Sequence, residues 1–349
     1  MKTALVYDRV NKWGGAERVL LVLHEMFPDA PLYTAVYNPE TAPWANVFPK
    51  VIPSFLQNFP MAATRHDLYA PLMPIAFESF DFSDYDLVIS VTSEAAKGIH
   101  TKPKTRHICY CLTPTRYLWS HYQDYFHTPL RRTVSGPLVA YLRHWDKAAA
   151  RRPDVMVGIS TTVADRIKRY YGREVEVVYP PGGEIPITKY QIPNKLKIKN
   201  SKFKTGYFLV VSRLVPYKRV DLVIECFNRL KWPLVIVGTG SEYNSLREKS
   251  KSKNTEFAGY VGDEELGEYY ANCRALIFPQ EEDFGIVALE AQSFGKPVIA
   301  YSAGGALETV VDPSAGSGRG ATGLFFDQQT SESLKKALET FTKIRFDEK

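Results

Sequence analysis

The sequence predicts an α/β protein made of two doubly wound domains in series, and three observations carry that prediction. Short apolar runs of strand length alternate with amphipathic stretches of helix length along most of the chain. At 349 residues there is enough chain for two cores of ordinary size. A polar stretch carrying Lys195, Lys197, Lys199, Lys202 and Lys204 separates the two series of elements. The resulting boundaries are residues 1–185 for the first domain, 186–205 for a linker and 206–349 for the second.

The first domain opens with a strand over 2–7, a turn at Gly14-Gly15 and a helix over 16–26 whose apolar positions include Val19, Leu20, Val22 and Leu23. Runs at 86–90, 107–110 and 155–159 are apolar on both faces, as strands inside a parallel sheet must be. In the second domain strands are predicted at 207–212, 233–237, 256–259, 275–278, 297–300 and 323–326. Helices fall between and after them at 219–230, 241–249, 263–272, 286–294 and 331–341, the last with Ser331 as its N-cap. Sheets of this kind bind ligands at the carboxyl ends of their strands, so chemistry is sought in the loops that follow.

Hydrophobic residues at 45% and charged residues at 23% place the chain among globular rather than disordered proteins. No run of about 18 apolar residues is present, and the N-terminus enters its first strand without a signal peptide's regions. A cytoplasmic location is expected, with peripheral association at the inner face of the cell membrane left open. Cys109, Cys111, Cys226 and Cys273 lack metal-site spacing and read as core. The net charge of +6 is concentrated, because residues 100–152 hold ten Lys or Arg against Asp124 and Asp146 alone. Tyr117, Trp119, Tyr122 and Trp145 interleave with those charges. Two readings stand: a solvated helix face with core aromatics, or a surface for an anionic partner such as a membrane. No motif for nucleic acid accompanies it, and none is expected as a partner.

Three loops carry candidate chemistry. Gly14-Gly15, between a strand and a helix, is either a phosphate site or a plain turn needing positive φ, and it lacks the Gly-x-Gly-x-x-Gly of a dinucleotide fold. Arg213 and Lys218 follow the first strand of the second domain, where two cations can neutralise a diphosphate and its charge as a leaving group. Glu281, Glu282 and Asp283 precede Phe284-Gly285 and a helix that carries Glu290. Acids before a helix complement its dipole, which accounts for the first three but not for Glu290, a carboxylate among apolar neighbours that needs a partner.

Glu282 and Glu290, with seven residues between them, resemble the Glu-x7-Glu motif of retaining glycosyltransferases of family 4, proteins of the GT-B fold in which two Rossmann-like domains face across a cleft. Gly14-Gly15-Ala16-Glu17, Ser212-Arg213-Leu214, Val237-Gly238-Thr239-Gly240 and Gly304-Gly305-Ala306 follow that family in order over nearly the whole chain. The stretch from Cys109-Tyr110-Cys111 through Thr113-Pro114-Thr115-Arg116 to Trp119 is similar to bacterial mannosyltransferases that assemble O-antigen and related surface polysaccharides.

The resemblance implies roles. Arg213 and Lys218 would hold the donor diphosphate, Glu282 the hydroxyls of the transferred sugar and Glu290 those of the ribose. Amides around Phe284, Gly285, Ile286 and Val287 would bind sugar and phosphate, Tyr260 and Val261 would lie by the base, and Gly15 would approach the distal phosphate on closure. Transfer would retain the anomeric configuration, with the leaving diphosphate taking the acceptor's proton. No cofactor or metal is expected. The sugar favoured is mannose, from GDP-mannose ahead of UDP-sugars, moved to a glycan or lipid-linked glycan acceptor.

The chain also departs from the family. Leu112 stands where a histidine is expected, leaving Glu94 as a substitute, while His100, His107 and His121 read as surface or core. Helices that return to the first domain are expected after 331–341 and are absent, and Gly182-Gly183-Glu184 follows Pro180-Pro181 in place of the usual acid. An epimerase of nucleotide sugars with the same fold, or a non-catalytic protein that binds sugar nucleotides or membranes, stays open as an alternative.

Overall fold

The computed structural model describes residues 1–126, 128–182, 202–313, 320–344 and 346. The chain divides into two compact units, Met1–Pro181 and Gly182–Lys349. Most of the stretch expected as a linker, including Lys195, Lys197 and Lys199, lies outside the described residues, as do Gly183 and Glu184.

In the first unit the order is β1 (Thr3–Tyr7), α1 (Gly15–Met26), β2 (Leu32–Thr34), β3 (Val51–Pro53), α2 (Met73–Glu78), β4 (Leu87–Thr92) and β5 (Arg106–Cys111). Then come α3 (Tyr122–Tyr125), α4 (Pro129–Ala149), β6 (Val155–Gly158), α5 (Thr161–Tyr171) and β7 (Glu176–Val177). Among the described residues the strands form a parallel sheet of seven in the order β3-β2-β1-β4-β5-β6-β7. Every residue of β1 and β4 is buried, which is why both read as largely apolar runs, with Thr3, Ser90 and Thr92 as buried polar residues. Cys109 and Cys111 are fully buried on β5, as core residues, and burial pushes the Cys109 thiol up to about 11. The strands β2, β3 and β7 have only two or three residues each, too few for a period to show.

Two expectations in this unit are corrected. Gly14 is the N-cap of α1 with φ 177°, ordinary extended backbone, and neither it nor Gly15 lies in the left-handed region. The turn therefore makes no left-handed demand. Val22 of α1 is exposed, so the buried stripe runs through Val19 and Leu20 instead.

The second unit runs β8 (Tyr207–Val211), α6 (Val220–Leu230), β9 (Leu234–Val237), α7 (Tyr243–Lys249), β10 (Thr255–Gly259), α8 (Asp263–Asn272) and β11 (Cys273–Phe278). It continues with α9 (Ile286–Ser293), β12 (Val298–Tyr301), α10 (Ala306–Thr309), β13 (Gly323–Phe326) and α11 (Ser331–Phe341). Its described strands form a parallel sheet of six, β10-β9-β8-β11-β12-β13. Alternation of period two sends Phe208 and Val210 into a core with α6, α7 and α11, and Tyr207 and Leu209 into a second core with α8 and α9. The strands β8 and β9 are apolar on both sides because each side has helices to face. The N-cap of α11 is Thr330 rather than Ser331: its hydroxyl accepts from the Ser333 amide at 3.2 Å.

A buried ion pair locks the first unit. Lys97, just past β4, meets Asp146 of α4 at 2.6 Å, with both side chains 1% exposed. Asp146 also accepts from Thr115 Oγ1 at 3.0 Å, Trp119 Nε1 at 2.7 Å and the Tyr171 hydroxyl at 2.8 Å. So many donors offset the cost of burying the charge and tie α4 and α5 to the sheet.

His107 of β5 is fully buried, its Nε2 2.8 Å from Ser90 Oγ, and burial lowers its pKa to about 4. The unfolded chain therefore takes up a proton there at higher pH than the folded one. Stability from this group is complete above about pH 6.5 and is lost as pH falls towards 4, by roughly 3 kcal/mol in all. Urea unfolding of wild type and His107→Gln between neutral pH and pH 5 tests this: the variant should lose distinctly less stability across that range. Equal losses would place the acid sensitivity elsewhere.

Candidate functional site

The strand order of the second sheet reverses between β8 and β11, so the loops after these two strands open a crevice at their carboxyl ends. Backbone contacts fix both loops. The Leu214 amide donates to Thr239 O at 2.9 Å, and the Glu242 amide donates to Leu214 O at 2.9 Å. A Cβ on Gly240 would lie 2.2 Å from Leu214 O, a distance no side chain survives. Across the crevice the Gly305 amide donates to Glu282 O at 2.7 Å, and a Cβ there would lie 2.3 Å from Phe284 Cα. Glycine is required on both sides by close approach, which holds the acidic loop and the basic loop in register.

The side chains then meet. Lys218 Nζ forms an ion pair with Glu282 Oε1, spanning the reversal point, with the two side chains 12% and 16% exposed. Arg213 Nη2 donates to the Tyr217 hydroxyl at 2.6 Å. The ring of Tyr217 has the Arg213 guanidinium 6.0 Å and the Lys218 ammonium 5.2 Å from its centroid. Tyr217 is absent from the residues the sequence singles out, although an aromatic flanked by two cations in one short loop is the signal that could have found it.

Glu290 lies on α9, 3% exposed, and accepts from the Tyr270 hydroxyl at 2.7 Å. Tyr270, fully buried on α8, supplies a partner that the burial of Glu290 demands, and it too escapes a search by motif. Gly285 caps α9 with φ 91°, a conformation that favours glycine, while Phe284 beside it is buried. Ile286 and Val287 form the first turn of that helix. Tyr260 follows β10 with 76% exposure, with the half-buried Val261 next to it. The neighbouring Gly259 carbonyl accepts from the Gly238 amide at 2.7 Å. Apart from Gly15, every candidate donor residue is thus in the second unit at or beside the carboxyl edge of its sheet.

Gly15 is in the first unit, as the first residue of α1. That sheet reverses its order between β1 and β4, and there Asp8 accepts from Thr92 Oγ1 and from the amides of Ser93, Glu94, Ala95 and Ala96, at 2.6 to 3.0 Å. Glu94, the substitute acid, has its carboxylate on Arg9 Nη1 at 2.5 Å, and Leu112 packs among apolar neighbours. His66, whose Nδ1 sits 3.1 Å from Asn11 Nδ2, is lowered to about 4 by burial and by Arg9 and Lys12. Among the described residues no group of three or more His, Cys, Asp or Glu is placed to hold a metal ion.

Residues 191–349 match the family model of glycosyl transferases group 1, a span that takes in this whole loop cluster and just under half the chain. An uncharacterised glycosyltransferase of Methanocaldococcus jannaschii is 24% identical over 213 residues, 60% of this chain and 54% of the relative. O-antigen chain mannosyltransferase C of Escherichia coli is 31% identical over 105 residues, 28% of this chain and 28% of the relative. The chain thus spans about half, or less, of the length of these curated relatives. Among solved structures, Anabaena Alr3699/HepE in complex with UDP aligns with a TM-score of 0.66 at 20% identity, over 98% of this chain and 90% of that one. The two parallel-sheet units make this a GT-B fold.

Replacing Tyr270 by Phe removes a donor from a buried carboxylate and should cost about 1–3 kcal/mol, read as a lowered Tm. Gly305→Ala should lower Tm as well and shift the Glu282 loop, because the new methyl meets backbone rather than a flexible side chain. A Gly305→Ala protein as stable as wild type would show that the loop has room to spare.

Proposed function

We propose that this protein is a retaining glycosyltransferase that moves a sugar from a nucleotide-diphosphate sugar to a glycan or lipid-linked glycan acceptor. Mannose is the favoured sugar, by the sequence resemblance and the kinship with the O-antigen enzyme of E. coli. The observation that carries the reading is the Lys218–Glu282 pair at the reversal point of the second sheet, inside the segment that matches glycosyl transferases group 1.

The chemistry follows from which partner each charge prefers. Lys218 and Glu282 compensate each other in a poorly solvated crevice. A diphosphate offers Lys218 a stronger partner, with Arg213 in the same loop to share the charge. As Lys218 turns to the phosphates, Glu282 is left to accept hydroxyls of the sugar joined to them. Glu290, steadied by Tyr270, accepts from the ribose, and amides in the first turn of α9 face the negative charge. When the bond from sugar to phosphate breaks, the two cations stabilise the departing diphosphate. One of its oxygens takes the proton of the attacking hydroxyl on the same face, so the configuration is retained and no metal enters the scheme.

Thermal shift with GDP, UDP and ADP and their sugars identifies the donor, since a ligand of the folded state raises Tm. In Glu282→Ala, GDP alone should stabilise at least as well as in wild type, because Lys218 no longer has that carboxylate to leave. Transfer to acceptor should fall about a hundredfold or more. Undiminished transfer by that variant would sink the assignment, and release of an isomerised sugar nucleotide with no glycoside would identify an epimerase instead.

A further inference from the structure

At the carboxyl edge of the first sheet one histidine is held in a single tautomer. The loop that leaves β1 runs through Asp8 to Asn11 where the strand order reverses, a place at which open sheets take ligands. Asn11 is held on three sides. Its carbonyl accepts from Thr41 Oγ1 at 2.9 Å, and its side-chain Nδ2 donates to Ala63 O at 2.9 Å. A backbone carbonyl only accepts, which fixes which end of the amide is nitrogen. The same Nδ2 lies 3.1 Å from His66 Nδ1 and has a hydrogen left to offer, so Nδ1 accepts and the ring proton belongs to Nε2. The turn that carries the ring is itself strained: Met61 has φ 58°, and its carbonyl accepts from the amides of Thr64 and Arg65 at 3.1 and 2.7 Å while Ala62 is buried in the core.

The Nε2–H is left over. His66 is half-buried, and among the described residues that donor meets no acceptor and is not sealed inside, so it reaches solvent. Burial, together with Arg9 and Lys12 against the pull of Asp67 and Asp8, lowers the ring to about 4. It is therefore a neutral donor and no base, and it does not take over from the histidine missing at Leu112. Nearby charges are answered inside the unit, Arg9 by Glu94 and Asp8 by Thr92 and the amides after β4. A neutral N–H among compensated charges suits a hydroxyl oxygen better than a phosphate.

The same loop also presents an aromatic face. Trp13 is 37% exposed and leans on Trp44 with ring centroids 6.2 Å apart, and Trp44 Nε1 donates to Lys12 O at 2.7 Å, which fixes the backbone beside it. The Cα atoms of Asn11 and Trp13 are at most about 7 Å apart, which sets the scale of a ligand at one or two sugar rings. Sugars have an apolar CH face that packs on an indole and hydroxyls that need directed partners.

We infer that His66 and Trp13 form a subsite in the first unit for the sugar that accepts transfer, with Nε2–H donating to one of its hydroxyl oxygens and the indole packing on its apolar face. Calling the bound sugar an acceptor rests on the transferase reading; its recognition by these two side chains does not.

Histidine-selective 15N labelling of the full chain reads the tautomer, with His66→Gln identifying the signal. His66 should keep its proton on Nε2 and a bare Nδ1 from pH about 8 down to about 5. A proton on Nδ1, or titration near about 6.5, overturns the inference. Octyl glycosides of mannose, galactose, rhamnose and N-acetylglucosamine are then added in turn, and at least one should shift the Nε2–H signal. Calorimetry should show its binding weakened about five- to tenfold in His66→Leu and in Trp13→Ala, and within about twofold of wild type in His66→Gln, whose amide keeps a donor there. The Tm of each variant checks its fold, and the wild-type spectra stand whether or not His66→Leu folds. No shift from any of the four glycosides overturns the inference. Binding at His66 without transfer from any sugar nucleotide upholds the sugar subsite and sinks the transferase reading. Transfer with an unmoved acceptor KM in His66→Leu and Trp13→Ala sinks the subsite and leaves that reading intact.

Discussion

The contact on which the candidate site depends is the approach of backbone to backbone at the carboxyl edge of the second sheet. Gly240 against Leu214 and Gly304-Gly305 against Glu282 and Phe284 leave no volume for side chains. The loops after β8, β9, β11 and β12 are consequently fixed by main-chain hydrogen bonds rather than by side chains that rotate. Lys218 and Glu282 inherit their positions from this arrangement. A charged pair on mobile loops would lose much of its attraction to entropy and water; on fixed loops, with little exposure, it keeps more of it.

Both sheets place a carboxylate at the point where strand order reverses, and the two carboxylates differ in what holds them. Asp8 is surrounded by backbone amides of the loop after β4 and by Thr92. Those donors cannot leave without unfolding the loop, so Asp8 is a structural brace. Glu282 meets instead the ammonium at the end of the flexible Lys218 side chain. The same topological position thus yields a carboxylate held by backbone amides in one unit and one held by a side-chain cation in the other. Glu290 lies between these extremes, buried like Asp8 but held by a phenol from a neighbouring helix.

In the first unit, α4 shows how one element can serve the core and a surface at once. Its inner residues join the sheet through Trp145 and the Lys97–Asp146 pair, while Arg143 stacks 5.4 Å from the Trp119 ring and 4.8 Å from that of Tyr122. The rings of Trp119, Tyr122 and Trp145, which look like a surface motif in the sequence, are in this way half-buried, with cations over them. What remains outside is the aliphatic row.

Much of the fold could be read from the sequence because parallel strands covered on both faces leave unbroken apolar runs, as in β8 and β9. The two-residue and three-residue strands could not be read, since they exist through pairing with a neighbour already in place. Local chemistry also misled at two points, where Gly14 turned out extended and Thr330, not Ser331, capped α11. By itself the sequence determined which residue types flank the strand ends: Arg213, Lys218, Glu282 and Glu290, at spacings that resemble a sugar-transfer motif. Only the tertiary structure decided that Lys218 rests on Glu282, that Tyr217 underlies both cations, that Tyr270 answers Glu290, and that α4 turns Leu130 and Val134 to solvent. Those contacts join residues up to 64 positions apart, and strand order and helix packing, which bring such residues together, leave no local trace in the chain.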